Sequence, residues 1–385
     1  MLNSLDDLAN IPTYLTYDDI LLKPGFSDFS RDDITTSTRL SRRISIDVPL
    51  VAAPMDTVVE AELAIALAYK GGIGIIHRNM SINDQADHVA QVVSKKLQVG
   101  AAIGYSQGYL ERSQKLVAAG VTILLIDSAH GSCTPMVEAI TTLKKAFPKL
   151  DLIAGNVATY EGARVLIAAG ADSIRVGMGP GAICTTRIIS GMGVPQFTAL
   201  VDTVRAGREA NVPIIADGGV KYSGDMVKAL AIGAETIMMG SYFASCIESP
   251  GDVVTLTADQ LPAQFRHLVR RDQKEYQFKT YRGMGSEAAM KKGAQVLSED
   301  EFHGKSYLKG RTLVAEGVEA LVPIKGTVSE VVDQAIGGIK SGMYYVGGRT
   351  ISELQQVAEF LRITDASLKE SHPHGLVITN GGKNY

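Results

Sequence analysis

The sequence predicts an α/β fold, a (β/α)8 barrel of the TIM type with a long mobile flap after the eighth strand. Two observations carry this. Eight short apolar runs rich in β-branched residues recur along the chain, and amphipathic helical stretches separate them. The runs hold four to six apolar residues without polar alternation, which suits strands buried on both faces and therefore a parallel sheet. Eight strand-then-helix units match a closed barrel. A doubly wound open sheet usually has fewer strands, and the glycine fingerprint it carries after its first strand is missing here.

In chain order the runs are "PLVAAPMD" (49–56), "GGIGIIHRN" (71–79), "QVGAAIGY" (98–105) and "VTILLIDSAHG" (121–131). They continue with "LDLIAGNVAT" (150–159), "SIRVGMGPG" (173–181), "VPIIADGG" (212–219) and "TIMMGSYF" (236–243). "TPMVEAITTLKKAFP" (134–148) and "YEGARVLIAAGA" (160–171) have helical spacing. In such a barrel the active site lies at the carboxyl ends of the strands. The residues that close each run therefore matter most: Asp56, His77 with Asn79, Asp127, Asn156, the loop around Cys184, Asp217 with Gly218 and Gly219, and Gly240 with Ser241.

After the eighth run the period breaks. Residues 250–325 read as polar and irregular, a length that suits a lid or a disordered segment. Helical patterns resume at 328–345 and 350–363. The expected organisation is one catalytic domain over 1–385, with 250–325 as an insertion and active-site flap within it.

Composition narrows the class. Of 385 residues, 45% are hydrophobic and 21% charged, as in soluble globular proteins. A net charge of −3 implies no general attraction to nucleic acid or to an anionic membrane. The first residues carry acids and prolines where a signal peptide needs a basic start and an apolar core, and no run approaches a membrane span. Cys133, Cys184 and Cys246 are odd in number, widely spread and free of a CxxC pair. That pattern argues against a disulfide framework or zinc site and for a reducing cytoplasm.

Cys184 stands apart from the other two. It sits in "GMGPGAICTTR" (177–187), a glycine-rich loop that packing alone does not call for. A thiol there can reach solvent and lie near helix N-termini, both of which favour the thiolate, so Cys184 is read as a nucleophile. Cys133 and Cys246 lie among ordinary helix or loop residues. "ADGG" (216–219) and "MGS" (239–241) end the last two runs, where backbone amides form a phosphate site in many barrels. Asp217 beside them can accept from two ribose hydroxyls or cap the next helix. Asp127 and Asn156 read equally well as helix caps or site residues. His77 and His130 have no acidic neighbour at ligand spacing and read as structural or rim residues.

In order along the chain, "PMDTV", "GNVAT", "GMGPGAICTTR", "GVPQFTAL", "ADGGVKYSGD", "YRGMGSEAAM", "VAEGVE" and "ESHPHGLVITN" resemble the motifs of the inosine-monophosphate (IMP) dehydrogenase and GMP reductase family. The resemblance covers nearly the whole chain. Most IMP dehydrogenases also carry a pair of CBS modules between the second helix and third strand. Here "SINDQADHVAQVVSKKLQVGAAIG" runs straight through.

The resemblance implies roles. Cys184 attacks the purine carbon between the two ring nitrogens, hydride leaves for NAD, and water hydrolyses the covalent xanthosine-5′-phosphate (XMP) adduct. Asp217 with Gly218 holds the ribose diol, and the amides of Gly219, Gly240 and Ser241 hold the phosphate with help from Tyr281. The backbone of Gly283, Met284 and Gly285, with Glu316, meets the purine. Asp127, Ser128, Asn156 and Gly177 meet the nicotinamide end of NAD. Thr186, two residues past the thiol, touches the attacking or leaving group, and Tyr307 stands on the flap; for the base on water Arg311, Tyr307 and the Thr186–Glu316 pair are the candidates, and the pair is the expected one. A potassium ion is implied, held by carbonyls of Gly179, Gly181 and Cys184 and by Glu370, Ser371 and His372 of a neighbouring subunit in a homotetramer.

Two positions depart from the family pattern. Ala182 stands where a phosphate-binding serine usually follows "GPG", and Ser306 precedes Tyr307 where the dehydrogenases have an arginine that serves as base on water. Arg311 is near but displaced. GMP reductases, which use NADPH and release ammonia, also lack that arginine. The long flap, "YRGMGS" and "ESHPH" favour NAD-dependent IMP oxidation, with GMP reduction as the alternative and a non-catalytic nucleotide-binding paralogue as a third reading.

Overall fold

The eight apolar runs form eight parallel strands that close on themselves in the computed structural model, which describes residues 11–269, 273–299 and 314–376. The strands are Leu50–Ala52, Ile73–Ile76, Gly100–Ile103, Ile123–Asp127, Asp151–Val157, Ser173–Val176, Ile214–Asp217 and Thr236–Met239. Each pairs with its neighbours in chain order, and the eighth closes on the first with Ile237 opposite Leu50. The predicted (β/α)8 barrel is therefore the observed fold.

Strand geometry explains why the runs lack alternation. Successive side chains point to opposite faces. Val51, Ile75, Ala102, Leu125, Ile153, Ile215 and Met238 fill the barrel interior. Their neighbours, among them Leu50, Ile76, Leu124, Ile126, Leu152 and Ile237, pack under the surrounding helices. With both faces buried, an apolar residue is required at nearly every position. The sixth strand differs: Ile174 and Val176 join the outer layer, so the inward register falls to Ser173 and Arg175.

A hairpin of Thr38–Arg39 with Ser45–Ile46 closes the amino end of the barrel, and Leu40 and Ile46 extend the interior core. Arg39 pairs with Glu235 and Arg43 with the buried Asp151, both at strand starts. The barrel helices are Ala61–Tyr69, Ile82–Val93, Tyr109–Ala118, Thr134–Ala146, Tyr160–Ala169, Gln196–Ala210, Ser223–Ile232 and Val328–Val346. Local signals set their ends. Thr159 accepts the Gly162 N–H at 3.1 Å, and Gly170 at φ +109° ends the same helix in a left-handed turn. Only residues 94–99 join the helix Ile82–Val93 to the third strand.

Two expectations need correction. Residues 250–325 are not irregular where described. Val253–Thr257, Glu275–Arg282 and Glu319–Pro323 form a three-stranded antiparallel sheet with its own small core of Leu261, Tyr276 and Phe278, and Glu287–Glu299 is a helix. A sheet with one wet face alternates polar and apolar residues, so a search for continuous apolar runs passes over it. This sheet lies between the eighth strand and its helix. The second correction concerns 350–363. The helix there is Ile351–Val357, and Phe360–Arg362 pairs antiparallel with Ile20–Leu22. The edge of that strand, and the edge-on packing of Phe360 against Phe197 at 5.2 Å, prevail over helical spacing. Among the described residues no helix is long and apolar enough to cross a membrane.

Candidate active site

The cysteine loop is held from two sides. On one side Gly177 (φ +154°) and Gly179 (φ +82°) take backbone conformations that other residues rarely adopt, and the Cys184 N–H donates to the Gly181 carbonyl at 3.1 Å. On the other side the insertion folds back over the loop. Cys184 bridges Gly317 in antiparallel fashion: Thr185 N–H donates to the Glu316 carbonyl at 3.1 Å and Val318 N–H to the Ile183 carbonyl at 3.0 Å. A side chain at Gly317 would come within 3.2 Å of Ser286 N and 3.3 Å of Gly283 Cα, so glycine permits this approach.

The same geometry draws in "YRGMGS". Gly283 N–H donates to the Val318 carbonyl at 3.1 Å, and Glu316 N–H to the Gly285 carbonyl at 3.0 Å. Residues 283–285, expected at the purine, thus lie against the 316–318 segment that bridges the Cys184 backbone. The side chains form a relay. The half-buried Cys184 thiol donates to Thr186 Oγ1 at 3.2 Å, and that hydroxyl donates to Glu316 Oε2 at 2.8 Å.

Asp217 caps no helix; the next helix is capped at Tyr222 with Asp225. Its Oδ2 instead accepts from Asn156 Nδ2 at 2.8 Å and Arg175 Nε at 2.9 Å. Asn156 also donates to the Gly177 carbonyl at 2.8 Å, and its N–H donates to the Ser128 carbonyl at 2.7 Å. Asp127 pairs with Arg175 Nη1. Asp127, Ser128, Asn156 and Gly177 are therefore neighbours, as expected, and the helix-cap readings of Asp127 and Asn156 fall away. Asn156 Oδ1 is buried without a hydrogen-bond partner among the described residues.

The glycines after strands seven and eight also come together with their expected partners. Gly218 (φ +86°) and Gly219 (φ +78°) pack on Pro180 of the cysteine loop. Tyr281 brings its hydroxyl against Gly240, where a Cβ would sit 2.5 Å from it, and that hydroxyl donates to Met55 Sδ at 3.9 Å. Burial pushes the Tyr281 phenol well above its usual range, so it stays protonated. Met284 lies between the two glycines of its loop. Glu370 ends the helix Asp365–Glu370; Ser371 caps it, and the His372 ring meets Tyr222 edge-on at 6.0 Å. Ser306, Tyr307 and Arg311 lie outside the described residues.

Sequence reasoning missed Arg175 and Arg282, and it named Asp56 and Asn79 only as strand-end residues without their partners. Arg175 joins Asp127 to Asp217, and its only signal was one arginine inside an apolar run. Burial works against its charge, but Asp217 and Asp127 outweigh that and raise its pKa. Asp56, fully buried, holds Arg282 of the insertion and Asn79 Nδ2 (2.8 Å); Asn79 also reaches the Ala289 carbonyl at 3.2 Å. These bonds root the insertion on the first two strand ends. His77 is structural, as expected, yet it does have an acidic neighbour in space, Glu60 at 3.3 Å.

A (β/α)8 barrel whose glycine-framed thiol is overlaid by a strand from an eighth-strand insertion defines a narrow class. A family model for the IMP dehydrogenase / GMP reductase domain matches residues 14–374. The chain belongs to that family. It is similar to the inosine-5′-monophosphate dehydrogenase of Borreliella burgdorferi, 39% identical with 94% of this chain and 96% of the relative covered. It is also similar to the enzymes of that name from Aquifex aeolicus (36%; 96% and 97% covered) and Bacillus subtilis (33%; 96% and 97%). The last two alignments run over 499 positions against 385 residues here, so those relatives carry residues that this chain lacks.

Proposed function

We propose that this protein is an NAD-dependent IMP dehydrogenase that oxidises IMP to XMP through a covalent adduct on Cys184. The observation that supports it most is the relay from Cys184 through Thr186 to Glu316, with the 283–285 backbone beside it. Thiol, proton acceptor and purine-facing backbone occur together. The relatives that align with nearly the whole of this chain bear the same name. Incubation with IMP plus NAD, and separately with GMP plus NADPH, tests it by the absorbance of the reduced cofactor. NADH formation supports the reading. NADPH consumption would make the chain a GMP reductase, and binding without turnover a non-catalytic paralogue.

In this reading the Cys184 thiol gives up its proton along the Thr186–Glu316 relay, and sulfur bonds to the purine carbon between the ring nitrogens. That carbon then loses hydride. When bound, NAD supplies the hydride acceptor. Once Glu316 has released the thiol's proton to solvent, the same relay takes a proton from water as it attacks the adduct; the carbon–sulfur bond breaks to release XMP, and the departing thiolate takes that proton back from the relay. Splitting the displacement into covalent steps lowers each barrier. Asp217 and Gly218 take the ribose, while Gly219, Gly240, Ser241 and Tyr281 take the phosphate.

The residues present suit both added groups. Asn156 Oδ1 is a buried acceptor without a partner among the described residues, as a carboxamide N–H requires, and Asp127, Ser128 and Gly177 surround it. For potassium the implied donors on the cysteine loop are carbonyl oxygens, a hard set suited to a large cation. The Gly181 carbonyl already takes one N–H and keeps a second lone pair. Gly179, Gly181 and Cys184 would supply one side, and Glu370, Ser371 and His372 of a second copy the other, within a cytoplasmic homotetramer. The ion would fix the loop that carries the thiol.

A further inference from the structure

One guanidinium touches both ligand subsites. Arg175 sends Nε to Asp217 Oδ2 at 2.9 Å and Nη1 to Asp127 Oδ1. These aspartates end the seventh and fourth strands, with Arg175 on the sixth. Its side chain is only 10% exposed, at an inward position where the other strands place apolar residues such as Leu125 and Ile215. Gly155 on the fifth strand lets the two backbones approach: a Cβ there would fall 2.4 Å from the Arg175 carbonyl oxygen and 2.8 Å from its Cβ. An ion triad that displaces core packing is costly unless its geometry is used.

Both bonds to Asp217 described above fall on Oδ2, from Arg175 and Asn156. That leaves Oδ1 for ligand hydroxyls. Asp127 likewise gives Oδ1 to Arg175, while its Oδ2 stands 3.9 Å from Arg78. Each carboxylate is thus oriented by the fork of the same planar cation, with one oxygen fixed and one left over. A fork of this kind sets direction as well as charge, which an ammonium group does not.

We infer that Arg175 is a positioning residue that aligns Asp127 and Asp217 together and so couples the binding of the two nucleotides. The inference rests on the function proposed above, in which Asp217 faces IMP and Asp127 faces NAD. A change at one carboxylate moves the guanidinium and is felt at the other ligand.

The test uses the full chain with Cys184→Ala, which can hold both ligands without turnover. Calorimetry gives the dissociation constants of IMP and NAD, each alone and with the other saturating. In this parent the two ligands should alter each other's affinity by a factor of about fivefold, and linkage requires that factor to be the same for both. Asp127→Asn should weaken IMP by a similar factor although Asp127 belongs to the dinucleotide side. Arg175→Lys keeps the charge but loses the fork; it should weaken both ligands and bring the mutual factor close to one. If Asp127→Asn leaves IMP binding unchanged, or Arg175→Lys preserves the mutual factor, the coupling is wrong while the function stands. Should Arg175→Lys fail to fold, the Asp127→Asn arm still decides. If the parent binds neither nucleotide, the proposed function falls and the coupling with it.

Discussion

Thr186 donates its hydroxyl to Glu316 across 2.8 Å, although 130 residues separate them in the chain. The bond closes a path that runs one way, from the Cys184 thiol to a carboxylate. The antiparallel bridge between Cys184 and Gly317 sets its length, because it fixes both backbones. A carboxylate at the end of a donor chain can accept a proton directly. Arginine, charged below a pKa of about 12, can do so only in an unusual environment.

Cys184→Ser should keep nucleotide binding and lose turnover by on the order of a thousandfold or more, as removal of a catalytic nucleophile does elsewhere. Mass spectrometry of the parent during turnover should find a purine adduct on the peptide that contains Cys184. Substantial turnover by the serine variant would remove Cys184 from the mechanism.

Asp217→Ala should weaken IMP far more than NAD. A charge-assisted hydrogen bond contributes roughly 1.5–3 kcal/mol. Its loss therefore weakens IMP by on the order of tenfold to a hundredfold. NAD should feel only the smaller effect transmitted through Arg175. Calorimetry with each ligand decides, and equal losses would mean that Asp217 merely supports the fold.

How far the sequence was legible follows from what each signal depends on. The barrel strands were readable because burial on both faces forces continuous apolar runs, as in "ILLID" (123–127). Gly177, Gly179, Gly218 and Gly219 were readable because their positive φ disfavours other residues. The pairs Thr186–Glu316 and Asp56–Arg282 are another matter. Each joins a barrel strand end to the insertion over more than a hundred residues, so no local spacing betrays the contact; family resemblance alone brought Thr186 and Glu316 into view. Arg175 was overlooked because one charge in an apolar strand gives no partner away. The sheet at 253–323 was overlooked because its strands are wet on one face.

Stability should fall in mild acid through His77. The ring is wholly buried, and burial pushes its pKa below the ordinary value, with Glu60 and Asp56 pulling back only in part and Lys292 adding to the push. Its Nδ1 accepts the Asn79 N–H, which places the proton of the neutral ring on Nε2 toward Glu60. The folded chain therefore resists protonation while the unfolded chain takes a proton near pH 6.5, an approximate reference value. His77 stability is complete above that pH and is lost as pH falls toward the folded value, by at most about 1.4 kcal/mol per pH unit. Urea melts from pH 7.5 down to 5 should show a shallower decline for His77→Gln than for the parent. Parallel declines would assign the effect to other groups.

Turnover should be faster in potassium than in lithium. The carbonyls of Gly179, Gly181 and Cys184 lie on the loop whose position sets the thiol, and a large cation bridging them to a second copy would hold that position. Matched chloride buffers at equal ionic strength provide the comparison. Equal rates would mean that the loop needs no cation, and Arg187, which already ties Met178 and Val194 through their carbonyls, would then be sufficient to hold it.

Hydrolysis of the adduct is the step most exposed to this chain's departures from its family. Ser306 stands where the dehydrogenases carry their flap arginine. Three replacements are conceivable: Arg311 brought in by a shifted flap, Tyr307, or the Thr186–Glu316 relay. Among the described residues the relay is assembled against the thiol, and it ends on a carboxylate. Water activation is therefore assigned to Thr186 and Glu316, with hydrolysis slower than hydride transfer. A burst of NADH equal to the enzyme concentration should precede the steady rate. Glu316→Gln should lower the steady rate by roughly a hundredfold, the scale of a lost general base, and leave most of the burst. Arg311→Ala should change little. If Arg311→Ala instead abolishes the steady rate and keeps the burst, Arg311 is the base and the relay serves only the thiol.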